Sequence, residues 1–384
     1  MRGRAIILCD GIMCRTIRLC IVLGDGACLN EDPGGGMISL VGWDIGGVNV
    51  KASCLVMEKG KFRPSRVVSR PFEIWRDKDH LPEVLRKVFN DCTLEFPVQA
   101  MSVTMSAELS DIFATKREGV RFVLECVRGC FPNIECYVLN LSGDLVLLKE
   151  ACTSPLDFAA TNWLASARWL SDRYPDCLLV DVGSTTTDIL PILGGKVCVD
   201  GRTDTERLSS GELVYTGFLR TNLAAIVQSV PVAGRSCRVS SEYFAVSGDV
   251  HLILGHLEPR DYTCPAPDNR PPTVESARSR LARLVCADTE MLSLPAIEEM
   301  ARYVYRQQVL QIRAGLQQVL SRLPELCPHP VVVFGAGAFL GEEAALGLGL
   351  KIQNLEIDFS REKTAAVPCL AVAHLLAAQM ERES

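Results

Sequence analysis

Apolar positions along this chain recur with two periods, two residues and about 3.6 residues, and segments of the two kinds alternate. From Met37 onward the apolar run 39–45 reads as a strand and 49–57 as a second. The tight Gly46-Gly47 turn joins them as a hairpin. Residues 61–68 read as a third strand. Leu81, Val84, Leu85 and Val88 have helical spacing and predict a helix over 80–90. A strand over 100–105, a helix over 117–128 and a short strand over 135–139 follow. Ser154-Pro155 and Tyr174-Pro175 bracket an expected helix over 157–173.

The opening pattern then recurs. An apolar strand over 177–182 meets a small-residue turn at 183–186 and a return strand over 187–192; Gly194-Gly195 then leads into 196–199. Gly46 and Gly183 stand 137 residues apart, one in each half. Such an echo predicts two similar lobes facing each other across a cleft. The expected division is an extension at 1–36, a first lobe at 37–156 and a second at 157–384. Later segments read as a proline-rich loop over 265–272, a long helix over 295–323 and a strand over 330–334 that runs into Gly335-Ala336-Gly337. An amphipathic helix over 365–380 closes the chain.

Composition narrows the function. Hydrophobic residues make up 48% and charged residues 22%, enough to build a packed core and too apolar for disorder. A net charge of -6 gives no basic footprint, which argues against nucleic acid as a partner. No apolar run approaches the ~20 residues that span a bilayer, so no membrane role is expected. The 17 cysteines are scattered within apolar runs such as Cys177-Leu178-Leu179, and no C-x-x-C pair occurs. The spacing of Cys126, Cys130 and Cys136 fits no common metal site. Reduced, buried thiols in a cytosolic protein are the expectation. The first 36 residues carry Arg2, Arg4, Arg15 and Arg18 before a short apolar run and a glycine-rich link. They read as a loose tail, or as sequence ahead of a true start at Met37, because the run is shorter than a secretory core needs.

Three motifs carry chemistry. The first is Asp44-Ile45-Gly46-Gly47-Val48-Asn49-Val50-Lys51. Its glycines permit positive φ and let backbone N–H groups approach an anion. Asn49 can donate to a phosphate oxygen, Lys51 offers a point charge, and Asp44 can orient a metal-bound water. The second is Asp181-Val182-Gly183-Ser184-Thr185-Thr186-Thr187-Asp188. Hydroxyls beside Asp181 and Asp188 suit phosphate and Mg²⁺, a hard cation that takes oxygen ligands. The third, Gly335-x-Gly337 after an apolar strand, can let a ring or a phosphate pack against bare backbone. The next glycine, Gly341, falls one residue late for a dinucleotide fingerprint.

These motifs in this order, from Met37 to the C-terminus, resemble the actin/sugar kinase/heat-shock ATPase superfamily. The resemblance implies a two-lobed α/β actin-like ATPase (ribonuclease H-like) fold with a central cleft. Further segments resemble its hydantoinase A/oxoprolinase-like branch: Ser106-Ala107-Glu108-Leu109, Thr115-Lys116-Arg117-Glu118-Gly119-Val120, Ser210-Gly211-Glu212-Leu213 and Ser247-Gly248-Asp249. More narrowly they look like proteins of tetrahydromethanopterin-linked one-carbon transfer. That group includes an ether-forming synthase of methanofuran biosynthesis.

The resemblance implies a transferase that joins an aminomethylfuran-methyl diphosphate to a tyramine- or tyrosine-type phenol and releases diphosphate. Gly46, Gly47, Asn49, Lys51, Gly183, Ser184, Thr185 and Thr186 would hold the diphosphate. Gly335 and Gly337 would form the ligand edge of the cleft, and Mg²⁺ would sit by Asp44, Asp181 and Asp188. A phenol with pKa ~10 needs a base or a cation to ionise at neutral pH; Glu108 would be that base and Lys116 or Arg117 the cation. The same residues leave ATP open as the ligand of the two turns, in a phosphotransferase or hydrolase. A non-catalytic scaffold subunit is the third reading, which the intact Asp44, Lys51, Asp181 and hydroxyl run oppose.

Overall fold

The computed structural model describes residues 39–58, 60–93, 97–355 and 366–383. The expectations for 1–36, and for a helix beginning at 365, concern residues outside that set. The alternating segments form two mixed sheets. In the first, β1 (Ser39–Ile45), β2 (Asn49–Glu58), β3 (Lys61–Pro71), β4 (Val98–Met105), β5 (Glu135–Leu139) and β6 (Leu145–Leu147) are ordered β3-β2-β1-β4-β5-β6. In the second, β7 (Cys177–Val182), β8 (Thr187–Leu193), β9 (Lys196–Val197) and β10 (Leu213–Val214) are joined much later in the chain. A separate ribbon, β11 (Ser229–Val232) and β12 (Arg235–Arg238), intervenes before β13 (Val331–Phe334) and β14 (Ile352–Asn354) complete the order β10-β8-β7-β13-β14, with β9 beside β8. Both sheets repeat one plan. An antiparallel hairpin (β1–β2, β7–β8) takes a parallel neighbour on its first strand (β4, β13).

Side chains alternate across each strand. Val41, Trp43 and Ile45 face a core with Leu81, Leu85 and Val88 of α1 (Leu81–Cys92) and Val120, Val123 and Val127 of α2 (Lys116–Cys130). A short turn of helix, α3 (Leu148–Ala151), adds Leu148 to the same core. On the other face, Leu40 packs with Leu370, Ala373 and Leu376 of the last helix.

The second sheet divides in the same way. Leu178, Val180 and Val182 face a core with Ile312, Leu316 and Leu340, while Cys177 and Leu179 face one with Trp163, Leu164, Ala371 and Val372. The later helices are α4 (Asn162–Ser171), α5 (Asp204–Ser210), α6 (Leu223–Ile226), α7 (Ser247–Ile253), α8 (Val274–Arg283), α9 (Leu294–Arg322), α10 (Ala338–Leu346) and the last, α11 (Val367–Glu383); of these, α4, α9, α10 and α11 supply the two cores on this sheet, while α6, α7 and α8 build separate ones. Thus α4 and α11 pack on each other between the inner faces of the two sheets, and α9 and α10 cover the outer face of the second.

The expected helix over 157–173 is broken in two. A 3-10 turn (Pro155–Phe158) precedes α4, and between them Ala160 adopts φ 51°. Left-handed backbone costs a non-glycine residue about 1 kcal/mol or more, and here tertiary ties hold the break. The Thr161 N–H donates to the Met105 carbonyl, and its hydroxyl pairs with that of Thr104 at 2.8 Å. Helical periodicity carries no sign of those ties. Every cysteine among the described residues is a free thiol, and burial pushes Cys92, Cys126, Cys136 and Cys177 up to about 12.

The approach of α11 to β1 depends on Gly42. A Cβ there would lie 2.1 Å from the Cys369 carbonyl oxygen and 2.7 Å from the Ala373 Cβ. Gly42→Ala is expected to lower stability by about 2–3 kcal/mol through overpacking, read as a lower urea midpoint at unchanged m-value. Gly129→Ala, on α2 with open space around its added methyl, should instead raise stability by about 0.5–1 kcal/mol.

Candidate active site

Strand alternation puts Asp44 on the same face of β1 as Leu40 and Asp181 on the same face of β7 as Leu179. Both carboxylates therefore face the layer of α4 and α11 from opposite sheets. Each ends the inner strand of a hairpin, and both hairpins close in the same way. The Gly46 N–H donates to the Asn49 carbonyl and the Gly183 N–H to the Thr186 carbonyl, each at 2.9 Å. In register, Asp44 stands opposite Lys51 and Asp181 opposite Asp188.

The glycines work differently from the expectation. Gly46, Gly47 and Gly183 are not among the positive-φ glycines; they give clearance. A Cβ on Gly46 would stand 3.1 Å from the Asn49 carbonyl oxygen, on Gly47 3.2 Å from the Ser110 hydroxyl, and on Gly183 3.3 Å from the Thr186 carbonyl oxygen.

The two turns share one cleft. Asn49 and Ser184 line the same cavity of about 550 Å³, together with Phe72, Leu219, Arg220 and Tyr262. Lys51 lies 3.3 Å from Asp44 Oδ2. Burial opposes its charge, but the carboxylates of Asp44 and, from the second turn, Asp181 outweigh that and hold the ammonium above its ordinary value. Asp44 is 4% exposed, and its Oδ1 has no hydrogen-bond partner.

Burial pushes the Asp181 carboxyl well above the usual carboxylate range, and the neighbouring Asp188 adds to the rise. The Ser184, Thr185 and Thr186 hydroxyls have no hydrogen-bond partner among the described residues, whereas the Thr187 hydroxyl donates to the Thr216 carbonyl at 2.8 Å. The fourth hydroxyl of the run is thus structural, and the first three are not.

Asp188, expected beside a metal, is occupied. Arg207 Nη2 donates to it at 2.6 Å, and that guanidinium is buried and stacked 4.1 Å above the Trp163 ring. Gly335 and Gly337 pack inward against β7. With φ 94°, Gly335 brings its backbone so close that a Cβ would lie 2.4 Å from Asp181 Oδ1, and one on Gly337 would lie 2.7 Å from Val182 Cγ1. They seat the Asp181 carboxylate and hold the second hairpin to β13.

Glu108 sits in the loop after β4, beside the first turn. The Ser106 N–H donates to the Ile45 carbonyl, and the same loop places the Ser110 hydroxyl near Gly47. The Glu108 side chain is 1% exposed, and Oε2 has no partner. Burial pushes its carboxyl up to about 7, opposed by backbone N–H groups and by Lys116 at 4.0 Å. Lys116 opens α2, with Thr115 as the cap accepting from the Glu118 N–H, and its ammonium contacts Asp204 Oδ2 at 2.6 Å. Arg117 is exposed.

Sequence reasoning missed Arg220 and Asp204. Arg220 lines the cleft and lies 4.6 Å over the Trp75 ring. Its place is set by backbone, since the Leu219 and Arg220 N–H groups donate to the Ser184 carbonyl at 2.9 and 3.0 Å. Neither residue belongs to a local pattern. Only the folded contacts bring them to the site.

Comparison with known proteins places the chain in a family. The sequence profile described as hydantoinase/oxoprolinase matches residues 99–379. The chain belongs to the hydantoinase/oxoprolinase family. A relative from Methanocaldococcus jannaschii is 33% identical over 90% of this chain and 99% of its own length; it is named (4-{4-[2-(gamma-L-glutamylamino)ethyl]phenoxymethyl}furan-2-yl)methanamine synthase. A second, from Methanococcus vannielii and of the same name, is 32% identical over 52% of this chain and 90% of its own length. Among solved structures, a nucleotide-free acetone carboxylase, described for ATP-dependent acetone carboxylation, superposes with a TM-score of 0.53 at 11% identity, covering 88% of this chain and 70% of that one. The likeness shows the fold alone: the two-lobed actin-like ATPase architecture expected from the paired hairpins. No helix among the described residues is long and apolar enough to cross a membrane.

Asp181 and Asp188 should respond oppositely to neutralisation. A buried carboxyl whose folded pKa is raised costs stability once pH exceeds its unfolded value of about 4. Asp181→Asn removes that cost and is expected to raise the neutral-pH melting temperature. Asp188→Asn strands the buried Arg207 charge and should destabilise the fold by about 3–5 kcal/mol. Thermal denaturation of both variants at pH 7 checks the pair.

Proposed function

We propose that this protein joins a furan bearing an aminomethyl and a methyl diphosphate group to a tyramine-type phenol, forming an ether and releasing diphosphate. The observation that carries the reading is Glu108. It is a fully enclosed carboxyl with an unpartnered oxygen and a proton affinity near neutrality, beside a phosphate-type turn. The family, and a relative of that named activity matched along nearly its whole length, support the substrate class.

In this reading the diphosphate lies between the two turns. Asn49, the Ser184, Thr185 and Thr186 hydroxyls and the turn N–H groups contact its oxygens, and Lys51 and Arg220 offset its charge. Asp44, with its orphaned Oδ1, and Asp181, whose carboxyl lacks a compensating cation of its own, offer hard oxygen donors of the kind that hold Mg²⁺ by one or two carboxylates plus phosphate oxygens. Bound there, Mg²⁺ would supply charge neutralisation to the departing diphosphate. Asp188 is not a ligand in this arrangement.

Glu108 accepts the phenol proton, and the phenol oxygen bonds to the furfuryl carbon. The bond from that carbon to the diphosphate oxygen breaks, its electron pair leaving with the diphosphate. The electron-rich ring stabilises charge at the carbon, so positioning and charge stabilisation do most of the work. Free thiols throughout the described residues fit a reducing compartment such as the cytosol, where such a step would serve a furan cofactor of one-carbon metabolism. ATP-dependent transfer, the other reading of the two turns, draws only on shared fold.

Purified protein given the furfuryl diphosphate and a tyramine-type phenol should form the ether, seen by mass spectrometry, with one diphosphate released per ether. Because the base must be ionised, kcat should fall as pH drops through about 7. Glu108→Gln should lower kcat by roughly 10²–10⁴-fold with little change in KM. ATP turnover without ether formation would refute the proposal.

A further inference from the structure

One ammonium stands between two carboxylates that belong to different halves of the molecule. Lys116 and Glu108 are part of the first sheet's side: Lys116 opens α2 and Glu108 follows β4. Asp204 opens α5, whose capping box ties Thr203 and Glu206 to each other and whose chain leads into β10 at the edge of the second sheet. Lys116 Nζ lies 2.6 Å from Asp204 Oδ2 and 4.0 Å from Glu108 Oε1. Its ammonium sits closer to the carboxylate of the second half than to the one beside it.

We propose that Asp204 is a positioning residue that holds Lys116 off Glu108, so that the base is armed only when the two halves close on each other. The inference rests on the reading of Glu108 as the base.

The geometry makes the lever specific. A Cβ on Gly119 would stand 2.5–2.9 Å from the Glu108 backbone, so the first turns of α2 and the Glu108 segment are packed as one piece. Lys116 cannot leave with the helix; only its flexible stem can swing between the two acids. The charged groups acting on Glu108 are Lys116 from α2 and Asp204 from α5, and the polar groups are its own N–H and that of Ala160 from the loop before α4.

If Asp204 withdraws, Lys116 is free to close the remaining gap. An opposite charge in contact typically lowers a carboxyl by about 1–3 pK units. Glu108 would then stay ionised at neutral pH but would be too weak a base for a phenol. With Asp204 engaged, the ammonium is shared and the desolvation of Glu108 prevails. Closure of the cleft around substrate and arming of the base become one event, which limits unproductive chemistry in the open form.

The test is Asp204→Asn in the full chain. The acid limb of the kcat–pH profile should move down by about one pH unit, kcat above the limb should fall roughly tenfold, and KM for the diphosphate substrate should stay unchanged. Asp204→Glu should restore the wild-type profile. The Glu108 carboxyl, followed by ¹³C NMR without turnover, should titrate lower in Asp204→Asn than in the parent. Superimposed profiles and titrations, or an upward shift, would overturn the proposal. If the parent makes no ether yet the Glu108 titration still drops, the assigned reaction fails and the lever stands. Should Asp204→Asn not fold, Lys116→Met serves. Removing the ammonium should raise the Glu108 titration, and an unchanged one sinks the idea.

Discussion

Everything in the cleft depends on how closely one helix can approach one strand. The last helix, α11, lies over the inner face of β1 because position 42 has no side chain. Seated there, it forms with α4 the layer on which both sheets rest, and the Ser102 hydroxyl donates to the Val372 carbonyl at 2.9 Å to fix its height. The alternation of β1 and β7 then fixes which residues look inward. Asp44 and Asp181 do so, at the ends of their strands, where each turn begins. Moving either strand by one residue would send its carboxylate to the far face and put an apolar side chain in the cleft.

The site that results is short of counter-charge. Asp44, Asp181 and Asp188 converge with Lys51 as the cation shared by the two turns, and Arg207 is committed to Asp188. Burial opposes the charge of Asp181, and Asp188 beside it adds to that cost. Carboxylates left in want of a cation, and hydroxyls left in want of an acceptor or donor, are what a site must keep if it is to gain from binding a charged ligand. The stability given up here resembles the cost other proteins accept at functional positions.

Much of this was legible in the chain and some was not, and the division is physical. Both hairpins could be read because a period of two and small-residue turns are local signals, and the echo between them announced paired lobes. The long helix α9 and strand β13 were equally plain. What could not be read were contacts between distant segments. Ala160 breaks an otherwise helical run because Thr161 is tied to β4. Asp188 looks like a metal ligand until Arg207 is seen to be packed on Trp163. Gly335 and Gly337 look like a ligand edge, yet they are spent on close packing against Asp181 and Val182. Arg220 and Asp204 have no motif at all. Residue chemistry named Glu108 and Lys116; only the fold shows that a third residue, from the other half, takes hold of the same ammonium.

The place of α11 also bears on how the molecule is made. Synthesis runs from β1 onward, and the apolar inner face of the first sheet, with Leu40, Leu55 and Ala100, is complete long before its cover exists. That cover is α11, Val367–Glu383, encoded far downstream of β4. Until it leaves the ribosome, roughly a minute or less behind β4 at ordinary elongation rates, the nascent sheet carries a bare hydrophobic surface. The wall beside the first aspartate of the cleft therefore forms only once α11 has been made.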